Sequence, residues 1–492
     1  MNTSEQKSEN YRAEFLHLCD SDKVFASSPY LRISTFPNIG MLYLASVLRQ
    51  SGYEAAYHDR AYDRFDDTFL RNLVSRRPLF IGIYDNIALK ADVVEITRRI
   101  ANLDKDIPII LGGPGHFEHE DYLAAGASAV VAGEADEIIT QIARRIEAGA
   151  DLGDIPGVIC EGATAGQAGL APQVENLDAL PHPAWDLAPP GRFRNDLAFI
   201  QKNPWYIVCA SRGCPYRCAF CSKIYPVGER RYRVRSVDNV IDEIRELRRR
   251  YGIRHVKFQD DAFGAKRNWL TGFCEKMIES DLGVQWNCSS IPTCFGMDDE
   301  DIFILMKKAG CTSLHFGLQS TSPQMLKEID RRPEETEILP AIIPAMRRAG
   351  LYSLVDLIVG LPGETHETIE THLRYVSKLP AHMIQVFPLQ VLPHTPLYDR
   401  YPGGRVTELS REEIYGGIRR ITRRFMFRPS IIWANLLYIV KNNPGFFITA
   451  IRLLPFLTVL AFGKYRMAWW RSKTEKDALG DAHGGAKGQK AI

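Results

Sequence analysis

The 492-residue sequence predicts an α/β protein: two successive parallel-sheet units, the first doubly wound and the second a partial (β/α)6 barrel, then a helical region. Three observations predict it. Short apolar runs alternate with amphipathic helical stretches from about 14 to 150, as crossover-connected parallel strands require. Six more strand–helix units follow from about 201 to 400, and beyond 401 the periodicity is helical and apolar. The length is enough for two or three domains with ample core.

Residues 1–13 are polar and are expected to be disordered. In the first unit, 15–19 is a short apolar run and 39–51 a helix carrying Leu42, Leu44, Ala45 and Leu48 on one face, stopped by Gly52. Strands at 54–58, 79–84, 108–113 and 129–134 alternate with helices at 65–75, 91–103 and 136–148. Sheets of this type bind ligands at the carboxyl ends of their strands, where Gly112, Gly113 and Gly133 fall. Residues 151–200 hold Pro156, Pro172, Pro181, Pro183, Pro189 and Pro190, a semi-rigid connector. The barrel strands are expected at 205–210, 255–263, 284–289, 312–319, 352–359 and 383–388, with any site at their carboxyl ends.

Three cysteines follow the first barrel strand: Cys214, Cys218 and Cys221, spaced C-x3-C-x2-C. Three thiolates on one loop hold three corners of a cubane iron–sulfur cluster and leave one iron without a protein ligand, open to a small molecule. A closed zinc site needs four ligands, and the nearest further cysteine, Cys209, lies inside the apolar strand. Cys19, Cys160, Cys274, Cys288, Cys294 and Cys311 are scattered and read, with Cys209, as core thiols rather than a disulfide framework. The amino terminus lacks an apolar signal core. A net charge of +2 offers no case for nucleic acid, and Arg230, Arg231, Arg233 and Arg235 read as a solvated or site-proximal face. A cytoplasmic location is expected.

In 401–471, residues 411–427 form a basic helix, and 430–440 and 445–463 are apolar. Arg452 leaves only 453–463 free of charge, short of the ~20 residues that cross a bilayer. Two readings stay open: an interfacial helix with a basic rim, giving peripheral contact with the inner face of the membrane, or a helical cap over the barrel mouth. Residues 472–492 are rich in Gly, Ala and Lys and are expected to be disordered.

The cysteine loop closely resembles that of the radical S-adenosylmethionine (SAM) enzymes, including Phe220 before the third cysteine. Gly317-Leu-Gln-Ser320 stands where family members often have G-x-E-S, so Gln319 replaces an acidic SAM contact. Gln259, with Asp260 and Asp261, ends the second barrel strand, where relatives bind the SAM amino group. Leu357-Ile-Val-Gly-Leu-Pro-Gly-Glu364 matches the segment that recognises adenine, at Ile358 and Gly360. Glu364 itself reads as a turn residue, and capping or loop solvation is the alternative for Asp260 and Asp261. The first unit resembles the cobalamin-binding domain of one large radical SAM class through Asn38-Ile-Gly-Met-Leu-Tyr-Leu-Ala45, Leu111-Gly-Gly-Pro-Gly-His116 and Val131-Ala-Gly-Glu134, which place Gly40, Gly112, Gly113, Gly133 and Glu134 at the cofactor. No D-x-H-x-x-G cobalt-ligand signature is complete; the nearest, Asp481-Ala-His483, sits in the tail. Cobalamin would then be held without a protein imidazole, with His116 and His119 as exposed loop histidines.

The resemblance implies a 4Fe–4S cluster, SAM and cobalamin, with no catalytic side chain beyond these cofactors. It implies transfer of a methyl group to an unactivated carbon through a 5′-deoxyadenosyl radical, with an electron donor such as flavodoxin or ferredoxin. The alternative is a cyclisation, rearrangement or oxidation of the anaerobic magnesium-protoporphyrin ester cyclase type. Transfer RNA methylthiolation lacks its second cysteine trio here, and an electron or corrinoid carrier has no use for an open iron. The substrate is expected to be a small molecule, or a lipid-like one if the apolar carboxyl-terminal region bears on it.

Overall fold

A computed structural model describes residues 11–18, 36–85, 89–162, 168–192, 202–221 and 231–442. The expected disordered tail, the apolar 445–463 segment, Cys19, Arg230 and residues 1–10 lie outside these.

The first sheet is built from β1 (Arg12–His17), β2 (Glu54–Asp59), β3 (Phe80–Tyr84), β4 (Ile109–Gly112), β5 (Ala129–Val131) and β6 (Val158–Ile159), in the order β2-β1-β3-β4-β5-β6. The first five are parallel; only β6 runs antiparallel, beside β5. β1 begins at Arg12, opposite Glu54, so the sheet starts two residues before the expected domain boundary. Helices α1 (Ile39–Gln50), α2 (Asp67–Ser75), α3 (Lys90–Leu103), α4 (His119–Ala124) and α5 (Ile139–Glu147) connect the strands. α1 starts at Asn38, whose side chain accepts from the Met41 amide at 3.0 Å. The chain order reverses between β1 and β3, and a doubly wound sheet opens its ligand crevice there.

The connector is built into the molecule rather than spacing it. Trp185 is buried, and its indole N–H donates to Glu243 at 3.1 Å. The Ser46 hydroxyl of α1 donates to the His182 carbonyl at 2.7 Å. One continuous apolar core runs from the first sheet through Trp185 into the second. Proline content alone suggested stiffness; the buried tryptophan is what locks the geometry.

The second sheet contains β7 (Trp205–Val208), β10 (His255–Phe258), β11 (Gln285–Ser290), β12 (Cys311–Gln319), β13 (Tyr352–Val359) and β14 (Met383–Pro388), side by side in chain order and all parallel. β7 and β14 do not pair with each other, which leaves the expected partial barrel open. The small ribbon of β8 (Ser211–Arg212) and β9 (Arg233–Val234) stands beside β7. The outer layer is α6 (Val237–Tyr251), α7 (Arg267–Ser280), α8 (Glu300–Lys308), α9 (Pro323–Glu328), α10 (Glu335–Arg348) and α11 (His366–Lys378), followed by α12 (Pro396–Arg400), α13 (Arg411–Met426) and α14 (Pro429–Asn442).

α14 does not cap the barrel mouth. Asn435 accepts from the Tyr352 hydroxyl and donates to the His382 carbonyl, both at 2.8 Å, and the Tyr438 hydroxyl donates to the Thr312 carbonyl at 3.2 Å. These partners stand at the amino-terminal ends of β12, β13 and β14, the floor of the barrel. A nine-residue strand at ~3.3 Å per residue puts this floor roughly 30 Å from the opposite edge. Among the described residues no helix is long and apolar enough to cross a membrane.

Candidate functional site

The cysteine loop leaves β7 under the control of one buried carboxylate. Asp260, at the end of β10, accepts from the Ala210 amide at 3.1 Å and from the Ser211 hydroxyl, and burial pushes it up to about 6. Its carboxylate pins the entry to the loop, a use that neither the SAM position nor the capping or solvation read from the sequence includes. Gly213 has φ +83°, and a Cβ there would lie 2.6 Å from the Arg231 carbonyl oxygen, so only glycine turns the chain here. The loop is held on its far side by Ala219, which donates to the Ile329 carbonyl at 3.0 Å and accepts from the Leu397 amide at 2.9 Å.

The three thiols meet what a cluster needs. Cys214 and Cys221 are half-buried and Cys218 is buried; all are free. Burial pushes Cys214 up to about 11 and raises Cys218 too, where the Arg331 guanidinium works in the opposite sense. Arg331 stands 3.7 Å from the Cys218 sulfur and is held by the Gly317 carbonyl and the Glu335 carboxylate. A cation beside the sulfur favours the thiolate, the form that ligates metal. Among the described residues no three His, Cys, Asp or Glu side chains gather as a cage for a single ion. Three thiolates on one loop suit three irons of a cubane, whereas a closed zinc site needs a fourth ligand.

Phe220 and Ile358, far apart in sequence, come together against Met325, Leu326, Ile329 and Leu361, forming an apolar wall beside the cysteines. Gly360 follows β13 with φ +95°, and its amide donates to Glu364 at 3.3 Å. Glu364 is buried and also accepts from Thr368, so it is a turn residue, as expected. Gln319 ends β12 with φ +70°, beside the Gly317 carbonyl that holds Arg331. Gln259 is half-buried at the end of β10, its amide bonded to the Val208 carbonyl at 2.9 Å.

A cavity of about 250 Å³ opens at the carboxyl ends of β1, β3, β4 and β5, against the start of α1. Gly40, Gly112, Gly113, Gly133 and Glu134 all border it, as does Gly82. Sequence reasoning missed Gly82; a glycine inside the apolar run Phe80–Tyr84 was the available signal. A Cβ on Gly82 would lie 2.7 Å from the Phe15 ring, whereas one on Gly112 would meet Val131 at an ordinary 3.8 Å. Gly113, at φ +136°, is glycine for a different reason: a Cβ there would run into the Asp85 carbonyl. The walls are mostly aliphatic, aromatic and bare backbone, which suits an apolar or aromatic portion of a large cofactor.

Glu134 borders this cavity, but its carboxylate is already engaged. It pairs with Arg233 and with Arg212 at 3.2 Å and accepts from the Val174 amide at 3.2 Å. Burial alone would raise it; Arg233 and Arg212 outweigh that and hold it below the usual carboxylate range. It clasps the two units. His116 is not the exposed loop histidine expected from sequence. It is 3 % exposed, its Nδ1 lies 3.1 Å from the Gly113 carbonyl, and its buried Nε2 has no partner. The compact turn at Gly113–Gly115 folds the ring inward. Neither it nor His119 lines the cavity.

The model of the radical SAM superfamily matches residues 208–376, and that of the B12 binding domain matches residues 33–143. Residues 208–376 thus form a radical SAM domain and residues 33–143 a B12-binding domain. An uncharacterized methyltransferase of Pyrococcus horikoshii is 27 % identical over 371 residues, 74 % of this chain and 78 % of that relative. The anaerobic magnesium-protoporphyrin IX monomethyl ester cyclase of Rubrivivax gelatinosus is 27 % identical over 349 residues, 68 % of this chain and 61 % of its own length. The fold matches the radical SAM methyltransferase TsrM from Kitasatospora setae, solved with cobalamin and a 4Fe–4S cluster, at a TM-score of 0.64 and 19 % identity, covering 85 % of this chain and 82 % of that one. A radical SAM domain implies a 4Fe–4S cluster and SAM, and a B12-binding domain implies cobalamin.

Proposed function

We propose that this radical SAM protein is a cobalamin-dependent methyltransferase that places a methyl group on an unactivated carbon of a small molecule. One observation carries the reading: Arg212 lines the glycine-walled cavity of the B12-binding domain and stands two residues before Cys214. Two residues span at most ~7 Å of chain, so the two cofactor regions adjoin. When bound, the cluster with SAM supplies a carbon radical and cobalamin supplies a methyl carrier.

The residues supply position and dryness. Cys214, Cys218 and Cys221 hold the cluster, and Arg331 steadies Cys218. Phe220 and Ile358 form the apolar side of the SAM site, and the turn at Gly360, its amide held by Glu364, lies at the adenine end. Gln319 and Gln259 offer neutral hydrogen-bonding groups to SAM, weaker than a carboxylate would be. Gly112 leaves room for the cobalamin, Gly40, Gly113 and Gly133 bring bare backbone to it, and Glu134 keeps its cavity fixed against the cluster loop. A cyclase-type reaction is the second reading, favoured by the similarity to anaerobic magnesium-protoporphyrin IX monomethyl ester cyclases. The reductant fitting this role is a small flavodoxin or ferredoxin. α14 lies at the barrel floor and not at the mouth, so it does not itself bear on the substrate.

The test is product analysis of the reconstituted enzyme with methyl-labelled SAM and candidate small molecules. Methyl transfer yields labelled product with both S-adenosylhomocysteine and 5′-deoxyadenosine. Deoxyadenosine with an unlabelled, cyclised or oxidised product would replace this reading by the second.

A further inference from the structure

α14 leaves one side uncovered. Ile432, Trp433, Leu437 and Val440 are 54 %, 61 %, 50 % and 50 % exposed, while Ile431, Ala434 and Tyr438 seat the opposite side on the barrel floor. Phe427, just before the helix, is 52 % exposed. A run of large apolar side chains in water marks a binding surface.

Charge decides the partner. From Arg419 to Asn442 there are six Lys or Arg and no Asp or Glu, and the acid-free sequence continues to Arg471 with four more cations. Arg420 is paired with Glu370 and Arg428 is held by the Val376 and Leu379 carbonyls, which leaves Arg419, Arg423, Arg424 and Lys441 exposed. A protein partner needs no such exclusion of acid. An anionic bilayer does: each nearby cation adds attraction to acidic lipid, and the apolar side chains add burial in the interface. We infer that the exposed face of α14 docks on an anionic membrane surface. Because α14 sits at the amino-terminal ends of β12–β14 and the cysteines at the opposite edge, docking leaves the barrel mouth facing water. The membrane holds the enzyme without gating its substrate.

The full-length holoenzyme should co-sediment with vesicles of equimolar phosphatidylcholine and phosphatidylglycerol, bind phosphatidylcholine vesicles far more weakly, and be partly released by high salt. Trp433→Ser/Leu437→Ser should weaken binding about tenfold or more with melting temperature and cluster absorbance unchanged. Vesicle-bound enzyme should cleave SAM as fast as free enzyme. Failure to bind the anionic vesicles would overturn the inference. So would a lower melting temperature in the double variant, which would show the face covered by the protein's own chain. Loss of SAM cleavage on vesicles would refute the orientation.

Discussion

The two sheets place their sites at the same edge but build them from opposite materials. The barrel sheet presents side chains: three thiols, a guanidinium against one of them, and the Phe220–Ile358 wall. The first sheet presents bare backbone, a cavity bordered by Gly40, Gly82, Gly112 and Gly133 in which Gly112 has room for a Cβ. A site made of reactive groups fails when a group is removed. One made of space fails when a group is added.

That contrast is most sharply broken at the cysteines. Replacing Cys214, Cys218 and Cys221 together by Ala should abolish iron–sulfur absorbance and SAM cleavage, whereas Cys274→Ala or Cys311→Ala, both in the buried core, should leave the cluster intact. A cluster that survives the triple change would end the assignment. Gly112→Val should weaken cobalamin binding about tenfold or more while iron content is unchanged, because the position tolerates a Cβ and the added methyls enter the cavity. Gly113→Ala is the contrasting variant: its clash with Asp85 should lower the melting temperature, so its binding defect would report misfolding. Equal stability losses in both would erase the distinction.

Glu134→Ala should cost about 2–3 kcal/mol of stability, since it strands the buried Arg233 while Arg212 keeps Asp136, yet weaken cobalamin binding less than Gly112→Val does. The reverse ranking in calorimetry and binding would make Glu134 a direct cofactor contact. The smallest effect concerns Asp85, at the end of β3. It accepts from the Tyr122 hydroxyl at 2.6 Å, its second oxygen has no partner, and burial pushes it up to about 7. Its ordinary value is 3.8, so between about 4 and 7 the unfolded chain gives up this proton first and stability falls as pH rises. Asp85→Asn should remove that slope and gain about 1–3 kcal/mol relative to the native protein between pH 4 and pH 8. Parallel melting curves across that range would refute it.

The same contrast explains what could be read in advance. C-x3-C-x2-C names its chemistry at fixed spacing, and the strand–helix alternation gave both sheets and the partial barrel. Gly112 and Gly133 could be placed because glycine at a strand end is visible; Gly82 looked like a defect in a strand. Glu134 borders the cavity at the place its sequence position indicates, but no periodicity reveals Arg212 and Arg233 arriving from the other unit. His116 read as exposed because a Gly-Pro-Gly turn hides the direction in which it folds. Arg331 was missed because only tertiary structure brings it to Cys218, 113 residues away in sequence. Long-range pairs of charges are the part of a site that local patterns do not carry.

The central claim is that the two regions form one reaction chamber, with the cobalamin cavity abutting the cluster loop through Arg212. Electron paramagnetic resonance of holoenzyme carrying both cob(II)alamin and the reduced cluster tests it directly. Adjoining sites should broaden and split each signal through mutual magnetic coupling, and Gly112→Val should leave the cluster signal uncoupled. Two unperturbed, superimposed spectra from fully loaded enzyme would contradict the account.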